Sequence, residues 1–225
     1  MGNAAIRRLA FAFDVDKDAE NFIRGTKSVN SSVPTKLQAE FIAAHGAAYD
    51  EPTVRAFLES HRQKIGFDPD RAIAEAGAKW DAVGAEFFAR ADRMFSLSAQ
   101  LAPAVAYLTT NQRCTYDIPA GYFFVHHAAK STNRTVMHEL LHFYTWHALY
   151  AELTASGMSA AAYNDVKESL TELLNVEFAD VMPGVRDEGY PQHAAMRAAI
   201  LGAWLRSRNV RTTVFDVLSQ FGLIV

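Results

Sequence analysis

Five residues, His138-Glu139-Leu140-Leu141-His142, carry the clearest chemistry in the chain. Two histidines four positions apart on a helix project from one side, one turn above the other, so both imidazoles can reach one metal ion. Glu139, beside the first histidine, can approach a water on that ion without ligating it. Zinc lowers the pKa of such a water, and a neighbouring carboxylate can take its proton. Residues 136–150 contain neither Gly nor Pro, so a helix can run through the whole motif.

A catalytic zinc needs three protein ligands and one open position. The arrangement resembles the zincin metallopeptidases, in which a strand also precedes the motif helix. Their metzincin branch would need Gly at 145 and His at 148, and the chain has Thr145 and Ala148. Downstream, Lys167-Glu168-Ser169-Leu170-Thr171-Glu172 resembles the gluzincins, the thermolysin-like branch. That resemblance implies that Glu168, 26 residues beyond His142, is the third ligand. It also implies that Glu172, one turn later, orients a ligand histidine from outside the coordination sphere. The second acid is Glu where Asp is more familiar, so the two roles could be exchanged. The implied activity is hydrolysis of peptide bonds in a peptide or protein, with Zn2+ as cofactor and Glu139 as general base. A non-catalytic zinc-stabilised binding protein and a hydrolase of a non-peptide substrate would use the same pattern.

Attack of water on an amide develops an oxyanion that needs a hydrogen-bond donor. Gluzincins place a Tyr or His downstream of the third ligand, and here Tyr190 and His193 open the last long helical segment; Tyr163 is a weaker choice. His126 and His127 end a strand and read as structural, with side chains on opposite faces. Cys114 has no local partner pattern and reads as a buried thiol.

These residues must be positioned by a fold that the pattern describes as α+β, predominantly helical and zincin-like, a single domain over 1–225. Residues 1–35 read as a loosely structured arm. Within it, Asp14-Val15-Asp16-Lys17-Asp18 lacks the Gly and Glu of a calcium loop and reads as solvated surface. Residues 36–100 are helical by periodicity, with Trp80, Phe87, Phe88 and Met94 as core. The runs at 105–110 and 122–126 read as two strands, which a hairpin would join. Helices follow over 133–153, 159–179 and 191–208. Half of the residues are hydrophobic and 21% charged, ordinary for a globular protein. A net charge of −3, from 22 basic and 25 acidic residues, gives no footprint for nucleic acid or an anionic membrane. No stretch has the length of a membrane span. One cysteine permits no internal disulfide and suits a reducing, cytoplasmic setting.

Overall fold

The computed structural model describes residues 8–27, 33–97 and 102–223. It is a mixed α+β structure, predominantly helical, with one small sheet. The chain divides into two compact units: Met1–Trp80 with Ala102–Thr132, and Asp81–Leu101 with Asn133–Val225. No helix among the described residues is long and apolar enough to cross a membrane.

The first unit holds strand β1 (Leu9–Ala12) and helices α1 (Val15–Gly25), α2 (Lys36–His45), α3 (Glu51–Ile65) and α4 (Pro69–Asp81). Strands β2 (Ala104–Thr109), β3 (Tyr116–Asp117) and β4 (Tyr122–His126) complete it. The sheet order is β1-β2-β4-β3. β1 and β4 both run parallel to β2, with Leu9 opposite Ala104 and Val105 opposite Tyr122, while β3 is antiparallel to β4. The expected hairpin between 105–110 and 122–126 is thus not formed; those strands are parallel neighbours, and the short β3 makes the hairpin. Phe123, Phe124 and Val125 are fully buried, so β4 is covered on both pleat faces, as parallel strands usually are.

The loosely structured arm expected over 1–35 is corrected for residues 9–25, which form β1 and α1; residues 1–7 and 28–32 lie outside the described residues. Asp14 caps α1 by accepting from the amides of Asp16 and Lys17. Phe22 and Ala19 then enter a core with Leu37, Phe41, Val54 and Leu58. Asp18, expected on a solvated surface, is fully buried. It accepts from Thr109 Oγ1 (2.7 Å), Thr110 N (3.0 Å), Thr110 Oγ1 (3.0 Å) and Arg62 Nη1 (2.9 Å). Asn21, one turn on, donates to Thr109 Oγ1 and Arg113 O and accepts from Thr115. Together they fasten the segment after β2 to α1. Sheet alternation stops at the end of β4, so the His126 and His127 rings face each other, centroids 4.9 Å apart, rather than pointing to opposite sides. Burial lowers the pKa of both.

The second unit is helical: α5 (Gly84–Phe95), α6 (Thr132–Thr145), α7 (Ala151–Ala155), α8 (Ala160–Leu170), α9 (Glu172–Glu177), α10 (Ala194–Ser207) and α11 (Val210–Gln220). A π-helical turn, Trp146–Tyr150, joins α6 to α7, and a 3-10 turn, Pro191–His193, leads into α10. Val136, Met137, Leu140, Leu141, Phe143 and Tyr144 are all buried, and so are Glu139, His142 and Thr145, so α6 is enclosed on its apolar and its polar side alike. Tyr144 packs on Phe95 and Phe87, and its hydroxyl donates to Asp92. The expected helix over 159–179 is broken at Thr171 into α8 and α9. That residue's hydroxyl is engaged with Arg197 and Asp187 rather than left to solvent.

Candidate metal centre

Helix α6 presents His138 and His142 one turn apart, ring centroids 4.5 Å apart. Helix α8 brings the Glu168 carboxylate across both rings. Its Oε2 is 3.5 Å from His138 Nε2 and its Oε1 is 3.5 Å from His142 Nε2. These separations are long for hydrogen bonds. The two approaches are made by different oxygens, so the carboxylate lies across both imidazoles and could offer either oxygen to an ion. Among the described residues, this is the group of three whose ligand atoms all fall within 4.8 Å. His138 is partly open to solvent, its side chain 20% exposed, whereas His142 and Glu168 are buried. The sequence-predicted ligand set is therefore brought together.

Glu139 is also buried, and its Oε2 has no hydrogen-bond partner among the described residues. Burial pushes its carboxyl up to about 7. A carboxylate oxygen left unpaired at this depth costs free energy unless something else meets it. A water on an ion held by the His138, His142 and Glu168 donors would do so, which makes the residues present a chemical fit for zinc.

Burial opposes a proton on His138, but the Asp187 and Glu168 carboxylates outweigh it and raise its pKa to about 10. His142, more deeply placed, is pushed well below its ordinary value by burial and by the Lys167 charge. Burial raises Glu168, yet His142, His138 and Lys167 hold its carboxyl well below the usual range. Carboxylates this deep require a neighbouring positive charge, which either an imidazolium or a divalent ion provides.

The acid in contact with His138 Nδ1 is Asp187, whereas the resemblance implies Glu172 in that place. Asp187 Oδ2 is 2.8 Å from His138 Nδ1, so it fixes the ring with Nε2 toward the cluster. Glu172 instead pairs with Arg197 Nη2 (2.8 Å) and accepts from Asn175. It reaches the histidine indirectly, through Arg197 or Asn175 to Asp187 and from there to His138. The physical reason is the end of α8 at Leu170, which turns the next acid toward α10. Asp187 lies on the irregular segment between α9 and the 3-10 turn, and that segment is tightly held. Asn175 brackets it, accepting from Asp187 N (2.8 Å) and donating to Asp187 O (2.9 Å). Arg197 donates to Asp187 O (2.6 Å) and Oδ1 (3.2 Å). Gly189 has φ +64°, and a Cβ there would stand 2.6 Å from Arg197 Nη1, so only glycine lets the guanidinium through.

Two further groups were not legible in the sequence. Lys167 is 2% exposed, and its Nζ lies 2.6 Å from Glu168 Oε1. Asp165, one turn before Glu168 on α8, lies 3.0 Å from His193 Nε2. His193 in turn stands one turn before Arg197, is buried, and has no hydrogen-bond partner for Nδ1 among the described residues. Tyr190 meets the His193 ring edge-on at 5.8 Å and is 37% exposed. The His193 ring thus bonds Asp165 rather than the His138, His142 and Glu168 group. Tyr163 is a core residue, packed edge-on against Tyr150 at 5.0 Å. Cys114, expected buried, is half-buried and belongs to the first unit.

Comparison with known proteins adds no relative to this geometry: no family model matches the chain, and no curated protein or solved structure matches it.

Proposed function

We propose that the protein is a zinc-dependent hydrolase of the gluzincin type that cleaves peptide bonds. His138, His142 and Glu168 hold the ion, and Glu139 is the general base. Zinc, when bound, would supply Lewis acidity and a water acidified to a pKa of about 7. Glu139 is placed to take a proton at Oε2 and return it to the leaving amine. Asp187 keeps His138 in the tautomer that offers Nε2 to the metal. His193 and Tyr190 are the candidate donors for the developing oxyanion. The reading places the protein in the cytoplasm, where a lone cysteine stays reduced.

The observation that carries this reading is the buried, unpartnered Oε2 of Glu139 beside three residues spaced as zinc ligands. Peptide as substrate rests on the HELLH resemblance alone. The test is Glu139→Gln assayed against a peptide library and an ester panel, with metal content measured on the same sample. Peptide turnover should fall about 10²–10⁴-fold with zinc retained. Undiminished cleavage by the variant would remove the mechanism. Activity confined to the esters would remove the peptide assignment.

A further inference from the structure

We propose that Lys167 is a positioning residue of the metal centre: it holds one oxygen of Glu168 and leaves a single carboxylate oxygen for the ion. This rests on the metal-dependent reading above and adds to it the coordination number.

Lys167 and Glu168 are consecutive on α8, and consecutive side chains on a helix do not face each other. The 2.6 Å contact between Nζ and Oε1 therefore requires the lysine stem to fold back along the helix inside the protein. Lysine is almost never this buried without a paired acid. A buried ion pair is in general a poor source of net stability, because desolvation consumes most of the Coulombic gain. Its place at a ligand carboxylate gives it a different use.

Glu168 spans the two imidazoles, with one oxygen 3.5 Å from each Nε2. An unrestrained carboxylate in that position can chelate, giving an ion two nitrogens and two oxygens before any water binds. With Oε1 held by Lys167, an ion bound here would have Oε2 left to it. His138, His142 and one oxygen would then hold it, leaving the open position that water activation requires. The ammonium also offsets the Glu168 charge, so the carboxylate is held in place before the ion arrives.

Cobalt(II) reports this directly, because four-coordinate cobalt absorbs visible light intensely and five-coordinate cobalt weakly. The full chain, stripped with chelator and titrated with Co2+, should show intense four-coordinate bands at one equivalent. Lys167→Met, which keeps the stem volume, should bind one equivalent with weaker, blue-shifted five-coordinate bands, and Glu168→Gln should lose binding. Identical spectra from the parent and Lys167→Met would overturn the role of Lys167. If Lys167→Met does not fold, the parent spectrum decides: a five-coordinate parent overturns the inference and a four-coordinate one supports it. A parent that binds no cobalt would instead bring down the metal centre itself, and Lys167 with it.

Discussion

Asp18 in the first unit and Glu139 in the second are both buried carboxylates, yet they are treated in opposite ways. Asp18 accepts four hydrogen bonds, from Thr109, from Thr110 twice and from Arg62, so both oxygens are saturated. Glu139 has an oxygen with no partner among the described residues, and burial raises its pKa to about 7. Saturation costs reactivity, because every lone pair is spent holding the chain together. An unsaturated acid costs stability and keeps a proton-accepting site. Depth alone therefore does not mark a functional acid; the state of its hydrogen bonds does.

The largest effects should come from exchanging the two fates. Asp18→Ala leaves Arg62 buried beside two emptied threonine hydroxyls and should cost about 3–5 kcal/mol. Urea unfolding of the variant should show that loss, and a change below about 1 kcal/mol would refute the structural assignment. Glu139→Gln should do the reverse, leaving the urea midpoint nearly unchanged while turnover collapses.

Next is Asp187→Asn, which keeps the shape but weakens the grip on His138. Zinc affinity should fall about 10–100-fold, as losses of such partners do. Glu172→Gln should change it less, since Arg197 stands between. Equal losses, measured by competition with a chromophoric chelator, would restore Glu172 to the role its spacing suggested.

Removing the metal should have a moderate effect. Lys167 and Arg197 already balance the buried acids, so the chelated protein should keep its helical circular dichroism. Its Tm should be about 5–10 °C lower than that of protein with zinc at a hundred times the Kd. Loss of the helical signal on chelation would make the site structural.

The smallest effect concerns the surface of the first unit. Burial raises Glu20, but hydrogen bonds from Lys17, Tyr122 and Arg24 outweigh it and hold its pKa at about 2, below the ordinary 4.5. A depressed acid stabilises the fold at pH above its unfolded value, and that contribution disappears as pH falls from 4.5 through about 2. Glu20 is about a third exposed, so solvent screening makes this small. Glu20→Gln should flatten the acid limb of the stability curve slightly, and an unchanged limb would show the pairs to be energetically idle.

The sequence by itself determined the helix through 138–142, the shared face of its histidines and the position of Glu139 beside them. Helical periodicity is local, so a few adjacent residues suffice to read it. Glu168 was reachable because an acid face recurs on the next amphipathic helix. Tertiary structure decided the rest. β1 is four residues long, and its partner Ala104 lies some 95 positions away, so no local pattern marks it. Asp18 looks like any surface acid until Thr109, Thr110 and Arg62 close around it. Asp187 sits on a segment with no regular structure, placed by Asn175 and Arg197. A loop residue's position is set by such long-range bonds rather than by spacing, and so the acid one turn after Glu168 was assigned the contact with the histidine that Asp187 makes. Lys167 reads as a solvated helix lysine until packing buries it against Glu168.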